Sequence, residues 1–174
     1  MRRNLFPILQ RFTCAAMCAV TLALAAPHAC FAGKAETSAH AAVRQVKLHE
    51  LLDIIAASHG KVVLVNFFAA FCGPCRQEIP ELKRMRKEIP EKDLVILGVA
   101  IDEKKSEAER IINSLGIRDA YPAYYGGDEI ARAYRIDAIP FNVIYNRDGH
   151  IEVSEAGYVP NAELKQFIMT LIRR

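Results

Sequence analysis

Cysteine is scarce in the part of this 174-residue chain that could form a core. Three of the five cysteines, Cys14, Cys18 and Cys30, fall within the first thirty residues, which leaves Cys72 and Cys75 alone in the rest. The five histidines (His28, His40, His49, His59, His150) never pair at ligand spacing. The second pair of ligands that a structural zinc site requires is therefore missing. An excess of charge is missing too. The formal net charge is +3, but Arg2, Arg3 and Arg11 are the only charged residues before Lys34, and without them 20 basic residues face 20 acidic ones. Such a balance gives no footing for nucleic acid or an anionic membrane surface as partner. The apolar segment from Phe12 to about Ala26 is short of the ~20 residues that span a bilayer. There are no internal repeats, and the length fits one domain with a real core plus appendages.

Residues 1–32 read as an export signal: a basic start, a short apolar segment, then small residues. The best small-x-small cleavage site is Cys30-Phe31-Ala32, cutting before Gly33. An uncleaved anchor is the alternative, since Pro27 and His28 interrupt the apolarity without abolishing it; Pro27-His28-Ala29 is a poor lead-in for a lipidated Cys30. Residues 33–44 are assigned to a linker, small and polar at first, and residues 45–174 to a folded domain. Cleavage before Gly33 would leave only Cys72 and Cys75, an economy that suits an oxidising compartment.

What the chain does contain is the stretch Phe67-Phe68-Ala69-Ala70-Phe71-Cys72-Gly73-Pro74-Cys75-Arg76-Gln77-Glu78-Ile79-Pro80. It opens at the end of an apolar, β-branched run, Val62–Phe68, that reads as a buried strand. After the cysteines the sequence can be helical, and Pro74 sits where a first-turn proline loses no hydrogen bond. Both sulfurs are thereby placed at the positive end of a helix dipole, beside unpaired N–H groups that stabilise a thiolate. The pair reads as a dithiol/disulfide centre. A purely structural disulfide is the plainer reading, but adjacent-turn cysteines close too short a loop to stabilise much. Glu78 lies three residues after Cys75 on the same helical face; the competing reading is a solvated helix charge.

Along the chain, the pattern predicts a helix over Val46–Ser58 with Gly60 as a stop, a strand at Val62–Phe68, and a helix from Gly73 to about Glu88 kinked by Pro80. A central strand at Leu94–Ile101 and an amphipathic helix at Lys104–Leu115 ended by Gly116 follow. Arg118–Gly127 reads as irregular, its tyrosines packing over the next helix or forming a recognition surface. A short helix at Asp128–Tyr134 precedes strands at Phe141–Tyr145 and Ile151–Ser154, joined by Asn146-Arg147-Asp148-Gly149-His150, where Asp-Gly signals a hairpin. A last helix spans Asn161–Ile172. Parallel strands joined by helices and closed by a hairpin make one α/β domain with a mixed sheet.

This order, together with the cysteine turn, resembles the thioredoxin fold: a mixed central β-sheet flanked by helices. More narrowly it resembles the TlpA/ResA-like branch of exported thiol:disulfide oxidoreductases, over about residues 45 to 172. The marks are Val63-Leu64-Val65-Asn66-Phe67-Phe68-Ala69-Ala70-Phe71-Cys72, then Cys75-Arg76-Gln77-Glu78-Ile79-Pro80, and Ile139-Pro140 followed by a strand and Asp148-Gly149. The resemblance implies that Cys72 is the exposed nucleophile, Cys75 the resolving thiol and Pro140 a cis residue facing the disulfide. It also implies that Phe71, Gly73, Pro74 and Ile139 meet the substrate, and that Glu78 matches an acidic position of the branch. The departures are specific. Members commonly carry Trp before the first cysteine, where this chain has Phe71. Cytosolic thioredoxins have an Asp where Asn66 stands, with a Lys partner whose place falls to Gly98. An amide cannot take a proton from Cys75, which turns attention to Glu78. Cytochrome c maturation members often have Glu-Thr where Phe141-Asn142 follows Pro140.

The implied activity is reduction of disulfides in protein partners. It needs no cofactor beyond the redox-active Cys72–Cys75 pair, no metal and no nucleic acid, and by resemblance it draws electrons from a membrane thiol transporter. The expected location is periplasmic or otherwise extracytoplasmic. A periplasmic oxidase or isomerase would use the same residues. A non-catalytic redox-sensing or chaperone module would use the tyrosines at 121–125 instead. The peroxidatic Thr-x-x-Cys pattern of a peroxiredoxin is absent.

Overall fold

The computed structural model describes residues 42–174. The export-signal reading of residues 1–32, Cys14, Cys18, Cys30 and most of the linker lie outside the described residues. The elements run α1 (Leu48–Ala56), β1 (Val62–Phe68), α2 (Gly73–Glu88), β2 (Leu94–Ala100), α3 (Lys105–Ser114), a 3-10 turn (Ile117–Asp119), β3 (Ala123–Tyr125), α4 (Gly127–Ala133), β4 (Phe141–Tyr145), β5 (Ile151–Ala156) and α5 (Asn161–Arg173).

The two apolar runs expected to be central strands are central. The sheet order is β3-β2-β1-β4-β5. β1 pairs with β2 and β2 with β3 in parallel, while β4 lies antiparallel to both β1 and β5. Alternation along a strand sends successive side chains to opposite faces, and both faces here are covered. Val62, Leu64 and Phe68 of β1 pack with Ile79, Leu82 and Met85 of α2, Ile111 of α3 and Ile168 of α5. Val63, Val65 and Phe67 pack on the other side with Leu51 and Ile55 of α1 and Ile130 of α4. Burial on both faces is why these strands read as continuous apolar runs instead of alternating ones.

Two expectations need correction. Arg118–Gly127 is not wholly irregular: Ala123–Tyr125 forms β3, in register with Gly98–Ala100 of β2. Its three residues are too few for periodicity to reveal, and Pro122 and Gly126 on either side carry turn signals. Tyr121 is buried in the core and Tyr124 packs against the α1/α4 layer, which favours the packing reading over a recognition surface. The folded chain also begins before residue 45. Val43 is fully buried, and Arg44 and Val46 exchange backbone hydrogen bonds with Tyr125 along the β3 edge. The helix expected from Gly73 to about Glu88 forms over those residues as α2, with Pro80 inside it. Gly116 (φ 55°) ends α3 in the left-handed conformation a glycine adopts without cost. The Asn146–His150 turn closes as expected, with the Asn146 side chain accepting the N–H groups of Asp148 and His150.

Candidate active site

β1 ends at Phe68 beneath the start of α2, so Ala69–Phe71 form a short turn that delivers Cys72 to the helix N-cap. Cys72 is extended there, and its sulfur accepts the backbone N–H of Cys75 at 3.1 Å. Gly73 and Pro74 are the first two helical residues and are exposed; no intrahelical bond is lost at Pro74. Cys72 and Cys75 form a disulfide, S–S 2.01 Å with the Cα atoms 5.3 Å apart. The expectation of an exposed nucleophile is corrected: Cys72 is only 5% exposed and Cys75 0%. Cys72 remains the more accessible member of the pair. The exposed feature is Phe71, 80% accessible.

Beneath the disulfide the sheet carries a polar row. Strand register aligns Gly98 of β2, Asn66 of β1, Asn142 of β4 and Glu155 of β5 side by side. Asn66 alternates with Leu64 and Phe68, which point to the α2 face, so the row lies under that helix. Glu78, 1% exposed, descends onto it from α2. Asn66 Nδ2 donates to Glu78 Oε2 (2.7 Å) and Asn142 Nδ2 donates to Glu78 Oε1 (2.9 Å). Asn66 Nδ2 also donates to Asn142 Oδ1 (2.9 Å). The carboxyl is gripped by two amides, which excludes the solvated-charge reading. Burial pushes its pKa up; the donors Asn142 and Asn66, and more weakly the Val159 amide, pull it back. A raised pKa keeps a carboxyl able to exchange a proton nearer neutrality, the property a base beside Cys75 needs. Any side chain at Gly98 would crowd its neighbours: a Cβ there would lie 3.2 Å from the Phe68 ring and 3.3 Å from the Tyr121 ring.

A second buried carboxyl, Asp102, stands just beyond the end of β2 and is 1% exposed. Its Oδ1 accepts the Ala70 N–H at 2.7 Å, and burial pushes its pKa up. Arg76 Nη2 donates to the Ala70 carbonyl at 2.9 Å. The Ile139–Pro140 bond is cis. Because Phe67 pairs with Phe141, the register carries Pro140 level with Phe68, beside the strand that feeds the cysteine turn. Ile139 is partly buried and packs against both apolar layers. Neither Asn142 nor Asp102 was singled out as a site residue. Asn142 enters the sequence reading only through the Phe141-Asn142 departure after Pro140, which says nothing of a partner for Glu78. Asp102 follows a strand, where acidic residues are ordinary, and carries no signal at all. Among the described residues no group of three His, Cys, Asp or Glu side chains could hold a metal ion, and no helix is long and apolar enough to cross a membrane.

Comparison with known proteins places this arrangement in a group. The family model for the AhpC/TSA family matches residues 30–154. The chain is 32% identical to the thiol:disulfide interchange protein CycY of Rhizobium leguminosarum bv. viciae, covering 77% of this chain and 69% of that one. It is 27% identical to the thiol-disulfide oxidoreductase ResA of Halalkalibacterium halodurans, covering 66% of this chain and 64% of ResA, so it spans about two thirds of the length of the curated relatives it matches. Among solved structures it is similar to a thioredoxin-family thiol:disulfide interchange protein from Chlorobium tepidum, with 26% identity, a TM-score of 0.60, and coverage of 67% of this chain and 83% of that one.

Proposed function

The chain belongs to the AhpC/TSA family and has a thioredoxin-like fold, and from that premise we propose that it reduces disulfides of protein partners through Cys72 and Cys75. One observation carries the reading: the two cysteines, bonded at the N-terminus of α2, stand one helical turn from a buried carboxyl gripped by Asn66 and Asn142. In the reduced protein the Cys72 thiolate attacks one sulfur of the partner's disulfide. That bond breaks, a Cys72–partner mixed disulfide forms and the first partner thiolate leaves. Cys75 then gives its proton to Glu78 and attacks Cys72 Sγ. The intramolecular disulfide re-forms, the second partner thiolate leaves, and two electrons have passed to the partner. The amide donors stabilise the carboxylate while burial opposes it, so Glu78 can accept the proton and return it.

Each turnover leaves the disulfide form, so the cycle needs a thiol donor. A membrane thiol transporter is the donor that an extracytoplasmic site would require, and the basic start and small-residue site before Gly33 support export. Mature protein from that compartment should begin at Gly33 by mass spectrometry; an intact Met1 in the membrane fraction would favour an anchor. The activity is tested by insulin reduction with dithiothreitol together with the reduction potential of the pair. Faster precipitation of insulin and a potential near the reducing end of the thioredoxin-like range support a reductase. A potential near the oxidising end would make it an oxidase or isomerase, and no turnover would make it a binding module.

A further inference from the structure

Phe71 is 80% exposed immediately before Cys72, so its ring has little packing of its own to fix its direction. Its backbone, by contrast, is held from two sides at Ala70. Asp102 Oδ1 accepts the Ala70 N–H, and Arg76 donates to the Ala70 carbonyl. The carboxyl itself stands on a firm base. Ile101 N–H bonds the Phe68 carbonyl at 2.9 Å, which closes β2 against β1, and the Tyr125 hydroxyl donates to the Glu103 carbonyl at 3.1 Å. Only one oxygen of Asp102 is used, for Oδ2 is buried without a partner. A buried polar atom left unpaired is costly. What the site retains is an acceptor aimed at one peptide of the cysteine turn.

We propose that Asp102, with Arg76, is a positioning residue that sets the direction of Phe71, making the ring a pre-oriented contact for extended protein partners of the disulfide. This rests on the protein-disulfide reading above. An exposed aromatic side chain anchors a partner well only if its position is fixed before binding; otherwise the ordering cost consumes the contact. Tethers at the residue before it supply that order without covering the ring. A small disulfide, which reaches Cys72 without lying along Phe71, gains little from them.

The test compares kcat/KM for insulin with the rate toward glutathione disulfide in the full chain and its variants. Phe71→Ala should lower the insulin value about tenfold, the scale of one anchor residue. Asp102→Ala should lower it several-fold, chiefly through KM, and by more than it lowers the rate with glutathione disulfide. Asp102→Asn keeps an oxygen for the Ala70 N–H and should recover most of the loss. In the Phe71→Ala background Asp102→Ala should cost nothing further, because both act through one contact. Arg76→Ala, at an exposed position outside the core, carries the same expectation if Asp102→Ala does not fold. Losses that simply multiply in the double variant, or equal losses toward both substrates, overturn the inference while leaving the reductase intact. Wild-type protein that fails to reduce insulin overturns both.

Discussion

The two sides of the disulfide are built differently. On the inner side Cys75 is fully buried, and Glu78 beneath it has both oxygens engaged by amide side chains from two strands. On the outer side Cys72 keeps a slight exposure, Phe71 is bare, and the buried carboxyl Asp102 grips main chain with one oxygen and leaves the other idle. Both carboxyls are desolvated, and burial raises both. The difference lies in their partners. Two amides around a carboxyl tune its charge, whereas one peptide N–H on a carboxyl fixes a loop. On the function proposed above, the inner side would move a proton and the outer side would present a surface.

Exchanging the cysteines breaks that comparison most severely. Cys75→Ser should leave Cys72 able to attack, so mixed disulfides with partners accumulate and are seen as covalent adducts on non-reducing gels. Cys72→Ser should trap none, and turnover in either variant should fall to background. Trapping by the serine at 72 instead would reverse the inner and outer assignments.

Next in size is Asn142→Leu, which takes one donor from Glu78 and leaves a buried carboxyl half-satisfied. A loss of about 1–3 kcal/mol in urea denaturation is expected, with the disulfide still formed. No loss would mean that water or another group already serves Glu78.

Glu78→Gln sharpens the comparison through pH. The folded carboxyl has a pKa above its ordinary value of 4.5 because burial disfavours the charge. The folded state then binds the proton more tightly than the unfolded chain does. That contribution to stability is fully present below about pH 4.5 and is lost as pH rises through the raised value. The variant should flatten this decline, leaving the slope that Asp102 supplies, and should change the pH dependence of Cys75 thiol titration. Asn66 Oδ1 is buried without a partner, so a flip of that amide can accept the new Gln N–H and limit the structural cost. Identical pH profiles in both proteins would remove Glu78 from proton handling.

The smallest effect is the control. Asp128 and Arg132 pair at 3.7 Å on α4 with both side chains mostly exposed. Asp128→Asn should change stability by less than about 0.5 kcal/mol, since water already solvates both charges. A larger loss would show that surface charge matters in this protein as much as the buried cluster does.

Much of the frame is readable residue by residue. Val62–Phe68 and Leu94–Ala100 could only be strands buried on both faces, and Pro74 with the two cysteines marks a helix start that stabilises thiolate. The i, i+3 spacing puts Glu78 on the face of Cys75. What stayed hidden is β3, too short to show a period, and the packed segment from Val43, whose docking depends on an edge strand that was itself unseen.

The site divides along the same line. Asn66 stands out as the residue where cytosolic thioredoxins have an Asp, but its partners Glu78 and Asn142 are 12 and 76 residues away. Asp102 and Ala70 are separated by 32. The α/β layering, the dithiol at a helix N-terminus and the nearness of Glu78 are legible from the residues alone, because each is set by spacing within one element. That Asn142 completes the clamp on Glu78 and that Asp102 holds Ala70 follows from the folded chain alone. Periodicity states which face of a strand a side chain takes, whereas its neighbour across the sheet is set by register and by where the chain returns.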